Sequence, residues 1–119
     1  MLIEKINPDF VFEDERGCLT QLVRTGYKQV NFITSKKGVT RGGHYHKLNA
    51  EAFFVISGKL TLHAQKGKVK EMYRFKKGDM FKVLPDVVHS FEFEANTLLI
   101  SLYSRGVELK GGAKDIFVK

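Results

Sequence analysis

With 119 residues, 43% of them hydrophobic, the chain is long enough for one domain with a real core and too short for two. A single cysteine, Cys18, excludes an internal disulfide framework and fits a reducing cytoplasm. The formal net charge of +7 favours anions in general, but lysines such as Lys36, Lys37, Lys66, Lys68, Lys70, Lys76 and Lys77 are scattered beside glycine turns and form no nucleic-acid module.

In chain order, strand-like runs cover Cys18–Arg24, Gln29–Thr34, Gly43–Lys47, Glu51–Ser57, Lys59–Gln65, Val69–Phe75, Met80–Leu84, Val88–Glu94 and Leu98–Ser104. Turn signals separate them, among them Lys37-Gly38, Ser57-Gly58, Lys66-Gly67, Lys77-Gly78-Asp79 and Pro85-Asp86. No window holds a helical period over three turns. Many short strands at regular spacing predict an all-β, closed or double-sheet antiparallel fold, with residues 1–119 as one domain. No apolar run approaches the roughly 20 residues of a membrane span, and Met1–Pro8 lacks the apolar core of a signal peptide. A soluble, cytoplasmic protein with no membrane partner is expected.

Alternation along strands aims the side chains. If Glu51 points inward, so do Phe53 and Val55; if His89 does, so do Val87, Phe91 and Phe93. Polar groups and an apolar lining then share one interior, the usual make-up of a small-molecule pocket. His63 falls on the face of Thr61 and Gln65 and is read as a surface histidine.

The densest chemistry lies between Gly38 and Gly58, in GVTRGGHYHKLNAEAFFVISG. His44 and His46, two apart, share one face of a strand. Glu51 opens the following run, and pairing of that run with the first strand would set its carboxylate beside the imidazoles. His89 is a fourth candidate. Two or three imidazoles and a carboxylate form a usual first shell for one Zn2+, Ni2+, Mn2+ or Fe2+ with an open position for a substrate oxygen.

This spacing, G-x5-HxH-x4-E-x6-G, resembles the first cupin motif at every fixed position, which implies a jelly-roll antiparallel β-barrel. Gly78, Pro85 and His89 resemble the second cupin motif, G-x5-PxG-x2-H-x3-N, in altered form. Pro85 comes one residue late, a glycine is missing near Val87, and Phe93 replaces the asparagine. An altered turn ahead of His89 is therefore expected.

Phe12, Asp14, Arg16 and Gly17 spell FxDxRG, and Arg41, Gly42 and His44 spell RGxH. Both resemble motifs of the cupins that act on nucleotide-linked 4-keto-6-deoxy sugars: the dTDP-4-dehydrorhamnose 3,5-epimerases and the sugar 3,4-ketoisomerases. The stretch from Gln29 to Lys59 is more similar still to the C-terminal cupin domain of bifunctional capsular-polysaccharide epimerase/reductases. The resemblance runs from Phe12 to about Tyr103. It implies an isomerase of surface-polysaccharide biosynthesis, working through an enediolate on a nucleotide-diphosphate sugar. Arg16 and Arg41 are suited to the diphosphate, because guanidinium pairs bidentately with phosphate oxygens.

The resemblance gives His44 two jobs. In the 3,5-epimerases the histidine of RGxH is the general base, and the position matching His46 is not histidine. In the ketoisomerases both histidines are implicated in proton transfer; in the capsular-polysaccharide domain the cluster binds metal. Because Glu51 and His89 complete four ligands, metal occupancy by His44, His46, Glu51 and His89 is preferred. The base is then a neighbour such as Tyr103 or Lys47. A homodimer is also implied, with N-terminal strands before Arg16 free to pair across a two-fold axis and Arg16 completing the neighbour's site. The alternatives are another metal-dependent cupin enzyme, an oxygenase or small-sugar isomerase, and a non-catalytic cupin that binds a sugar or metal.

Overall fold

The computed structural model describes residues 1–119. Its strands are β1 (Ile3–Ile6), β2 (Phe10–Asp14), β3 (Gly17–Gln21), β4 (Gln29–Ser35), β5 (Thr40–Tyr45) and β6 (Glu51–Ser57), followed by β7 (Lys59–Lys66), β8 (Val69–Lys76), β9 (Met80–Val83), β10 (Val88–Phe93), β11 (Thr97–Tyr103) and β12 (Phe117–Val118). One five-stranded sheet runs β1-β9-β6-β11-β4 and the other β12-β5-β10-β7-β8, with every pairing antiparallel. The two sheets face each other as a cupin jelly roll. β2 and β3 form a separate hairpin. The helical content is one short 3-10 turn, Lys110–Gly112, so no helix is long and apolar enough to cross a membrane.

Alternation orients the side chains as the sequence predicts. Glu51, Phe53 and Val55 of β6 are buried, as are Val87 and the His89, Phe91 and Phe93 of β10. Leu60, Leu62 and Ala64 of β7, Phe81 and Val83 of β9 and Leu99 of β11 complete the same interior. Phe53 and Phe81 are 1% and 0% exposed, and burial of each such side chain stabilises the fold by about 1.5–3 kcal/mol. The rings fill the barrel instead of lining a hollow. Phe75 stacks on Phe81 at 4.0 Å, Phe53 on Phe81 at 5.2 Å, and Phe91 meets Phe53 edge-on at 4.9 Å. Phe53 and Phe91 then lie 6.3 and 6.2 Å from the His89 ring. The polar cluster has an aromatic floor.

One expectation about the strands is corrected and another is made specific. β6 does not pair with β5: it lies between β9 and β11 in one sheet, while β5 lies between β12 and β10 in the other. The short Lys47–Ala50 link crosses between the sheets, so Glu51 meets the histidines across the barrel. The N-terminal strands each have one partner within the chain and keep an outer edge unpaired. β1 pairs with β9 and β2 with β3, and the Leu2 amide is held by Glu71 Oε1 at 2.7 Å.

The altered turn before His89 is handled by a substitute residue. The motif's glycine slot, eight residues after Gly78, holds Asp86, the chain's one non-glycine residue with positive φ (68°). Aspartate tolerates the left-handed region better than most residues. The Asp86 amide also donates to the His46 carbonyl at 2.7 Å, tying this turn to the histidine strand.

Candidate functional site

β5 carries two of the site residues, and a bulge decides where its side chains point. His44 stands opposite His89 and Arg41 opposite Phe91, but between them Gly42 alone faces Ser90, leaving Gly43 as the extra residue. Directly opposed residues in an antiparallel pair share a face. Arg41 and His44, three apart, would face opposite ways on a regular strand; the extra residue brings both to the inner side. Both glycines adopt positive φ, 103° at Gly42 and 77° at Gly43. A Cβ on Gly42 would lie 2.6 Å from the His89 carbonyl oxygen, so only glycine fits there.

His44, His46, Glu51 and His89 converge, with one donor atom from each inside a 4.8 Å cluster. His46, Glu51 and His89 are buried, and His44 is half-buried and forms the open side. Glu51 Oε1 lies 3.1 Å from His46 Nε2 and 3.3 Å from His89 Nε2. His89 donates Nδ1–H to the Val87 carbonyl at 3.0 Å, which leaves Nε2 turned into the cluster. That buried nitrogen makes no well-formed hydrogen bond. A buried imidazole nitrogen left open among three further ligand atoms fits a divalent transition metal, and these four residues are the ones that would hold it.

The imidazoles are electrostatically unequal. Burial, and then the neighbouring His89, hold His44 down to about 4, so it is neutral near pH 7. Burial also opposes charge on His46, but its hydrogen bonds to Glu51 and to the Asp115 carbonyl outweigh it, and its pKa rises. Burial pushes the Glu51 carboxyl up, and contacts with His46 and His89 more than reverse this. Tyr103, opposite Glu51 in the β6–β11 register, sets its ring edge-on to His46 at 5.1 Å. Burial and then the Glu51 charge push its phenol well above the ordinary tyrosine range. Tyr103 therefore stays a neutral phenol near neutral pH, a group that can offer a hydrogen bond at this site.

The remaining sequence candidates part company. Arg41 crosses to β4, donating Nε–H to Ser35 Oγ at 2.8 Å and Nη2–H to the Thr34 carbonyl at 3.0 Å. It lines an open cleft of about 800 Å³ with Lys36, Thr40, Asn96 and Thr97. Lys47 is not brought into the cluster: it is exposed, and its ammonium sits 4.5 Å over the Phe117 ring. Nor is Arg16, whose side chain is 79% exposed on the β2–β3 hairpin and bonds Asp14 at 2.7 Å. His63 pairs with Glu92 at 2.8 Å on the outer face, as expected of a surface histidine.

Sequence reasoning missed Asp115 and Asn49. Asp115 is 1% exposed, and its carboxylate accepts the Lys47, Leu48 and Asn49 amides at 2.9, 3.0 and 3.1 Å and Asn49 Nδ2–H at 2.8 Å. Asn49 Oδ1 accepts the Arg105 and Gly106 amides. No spacing rule links residues this far apart; a buried Asn inside the motif stretch was the one available signal.

A family model described as polysaccharide biosynthesis C-terminal domain matches residues 12–104. The chain is 46% identical over 46 residues to a UDP-2-acetamido-2,6-beta-L-arabino-hexul-4-ose reductase of Pseudomonas aeruginosa. That match covers 38% of the chain and only 12% of the reductase. Among solved structures, the 3,4-ketoisomerase QdtA of Thermoanaerobacterium thermosaccharolyticum, in complex with TDP-4-keto-6-deoxyglucose, superposes with a TM-score of 0.81. The identity is 18%, over 99% of this chain and 88% of that one. A dTDP-4-dehydrorhamnose 3,5-epimerase of Sulfolobus tokodaii gives a TM-score of 0.68 at 21% identity, over 87% and 75% of the two chains. These likenesses establish the cupin jelly roll, and with the match over most of its length the chain belongs to the polysaccharide biosynthesis C-terminal domain family.

Proposed function

We propose that the protein is an isomerase of surface-polysaccharide biosynthesis, a 3,5-epimerase or 3,4-ketoisomerase of a nucleotide-linked 4-keto-6-deoxy sugar. The observation that carries this is the shared inner face of Arg41 and His44, beside the buried His46–Glu51 pair. A 4-keto group acidifies the C3–H bond. Neutral His44, on the open side of the cluster, takes that proton, and the bonding electrons move into the enediolate. The enolate oxygen gains charge, and the Tyr103 phenol offers it a hydrogen bond. Return of the proton to the opposite face of C3 gives the epimer. Protonation at C4, with the hydroxyl proton passing from the C3 oxygen to the C4 oxygen as C3 becomes the ketone, gives the ketoisomer. Arg41 keeps free N–H groups for the diphosphate.

A second reading is favoured by the open His89 nitrogen: His44, His46, Glu51 and His89 hold one Zn2+, Ni2+, Mn2+ or Fe2+. Such an ion supplies Lewis-acid stabilisation of a carbonyl or enolate oxygen. In that case His44 holds metal instead of moving a proton, and Tyr103 remains the donor. Elemental analysis of protein purified without chelator separates the two readings.

A homodimer fits the surface. Val30 and Phe32 on the edge strand β4 are 62% and 61% exposed, next to half-buried Phe54 and Ile100 on the outer face of the same sheet. The hairpin adds exposed Phe10, Val11, Phe12 and Leu19, a patch of the kind that marks an interface. A second copy covering both would bring Arg16 towards a neighbour. Light scattering should show a dimer that Phe32→Asp splits.

The reaction is tested by incubating the protein with a nucleotide-linked 4-keto-6-deoxy sugar in D2O. Deuterium should enter at C3 on epimerisation or at C4 on ketoisomerisation, and His44→Ala should stop it under either reading. Binding without exchange would sink the isomerase and leave a sugar-binding cupin; no binding would favour a different cupin chemistry, an oxygenase or small-sugar isomerase.

A further inference from the structure

Residues beyond the family match build a strap across the back of the site. From Ser104 the chain turns at Arg105-Gly106, where Asn49 takes all the available bonds: two amides onto Oδ1, and Nδ2–H shared between the Gly106 carbonyl and Asp115. The chain then returns so that β12 pairs with β5, Phe117 opposite Tyr45 and Val118 opposite His44. Phe117 stacks on Tyr45 at 5.4 Å, and the Lys119 amide donates to the Gly43 carbonyl at 3.2 Å. The strap therefore touches every residue of β5 from the bulge to His44 and Tyr45, and then His46.

Asp115 lies at the centre of this contact and uses both ends of the residue. Its carboxylate gathers three consecutive amides of the Lys47–Asn49 turn, the link that carries the chain from His46 to Glu51. Its carbonyl oxygen lies 2.6 Å from His46 Nδ1. A carbonyl only accepts, so Nδ1 must hold the proton, and Nε2 is the nitrogen turned to Glu51.

We infer that Asp115 is a positioning residue: its carbonyl fixes the ring orientation and Nδ1–H form of His46, and its carboxylate pins the turn that sets His46 against Glu51. The strap thus belongs to the site without touching substrate. The inference rests on the proposed role of the histidine cluster, under either the proton-transfer or the metal reading, since both need Nε2 aimed inward. Fixing a ligand or acid–base histidine from behind through its other nitrogen is a general device, and its loss typically costs 10–100-fold in metal affinity or activity.

The test is long-range 1H–15N NMR of the histidine rings in the full chain, treated with chelator. Nδ1 of His46 should be protonated in the wild type. Asp115→Ala keeps the backbone carbonyl but removes the carboxylate that pins the strap to the Lys47–Asn49 turn, so the carbonyl should move off Nδ1 and His46 should mix its ring forms, while His89, anchored to Val87, keeps its signals. An unprotonated Nδ1 in the wild type, or a folded Asp115→Ala protein with unchanged His46 signals, would overturn the assignment. Should Asp115→Ala not fold, Asp115→Asn decides by the same spectra, because one of its carboxylate oxygens becomes an NH2 facing amide donors and the turn must shift. A second readout is Zn2+ affinity by calorimetry, expected to fall by about 10-fold or more in the variant. Wild-type protein that takes up no Zn2+ removes the metal reading alone, and the ring spectra still decide the role of Asp115.

Discussion

Gly42 and His89 are packed backbone against backbone: a methyl group on Gly42 would meet the His89 carbonyl oxygen at 2.6 Å and the Ser90 Cα at 2.8 Å. This contact lets the β5 bulge seat beside β10 and bring Arg41 and His44 to one face. Gly42→Ala is expected to combine a backbone clash with left-handed strain and to destabilise by about 3 kcal/mol or more. Gly43→Ala, with nothing within 4 Å, should cost only the strain, about 1 kcal/mol. Urea unfolding of the two variants checks the difference; equal losses would mean that the close approach is not what the position requires.

Asp86 holds the left-handed turn that delivers His89. Asp86→Gly relieves the strained φ of 68° and should leave stability unchanged or raise it by up to about 1 kcal/mol. A β-branched residue has no comparable tolerance, and Asp86→Val should cost about 2 kcal/mol or more. Thermal melts of the pair give the answer, with a stable Asp86→Val protein as the contrary result.

The unequal histidines give stability a two-sided pH dependence in chelator-treated protein. His44 is held down to about 4 by burial and His89. As pH falls below the unfolded value of about 6.5, the unfolded chain takes a proton that folded His44 refuses, and stability drops. His46 is raised, so its contribution is full below about 6.5 and is lost as pH rises through its folded value. The two limbs place the maximum between them. Melting temperatures across this window should show it, and His44→Asn should flatten the acid limb; an unchanged acid limb would assign that loss to other groups.

Arg41 is set by Ser35 and Thr34 before any ligand arrives. Arg41→Ala should weaken binding of a nucleoside diphosphate by about 10–100-fold, the scale of a charge-assisted hydrogen bond or two. Arg41→Lys should recover only part, because ammonium lacks the planar fork. Isothermal titration calorimetry measures both, and wild-type affinity in Arg41→Ala would move the diphosphate elsewhere.

The fold and the cluster were readable because they rest on short-range rules. Period-two alternation placed Phe53, Val55, Phe91 and Phe93 inside, and the motif spacing brought His44, His46, Glu51 and His89 together. What escaped depends on chain topology. Nothing local shows that Glu51 crosses to the opposite sheet, since the same five-residue step would suit a hairpin. The direction of Lys47 was lost for the same reason: one residue past His46, its side chain turns out over Phe117, a partner 70 positions along. β1 and β12 are four and two residues long, too short for a period to register, and each is held by a neighbour distant in sequence.

The bond between His46 and Asp115 spans 69 residues. During synthesis at about 5–20 residues per second, His46 leaves the ribosome several seconds before its brace exists. The barrel strands that surround it are made in that interval, but the ring has no carbonyl to orient it until Asp115 emerges. The ring therefore gains its orienting carbonyl only after the strands around it have been made, and chains truncated just before and just after Asp115 would differ in histidine geometry more than in compactness.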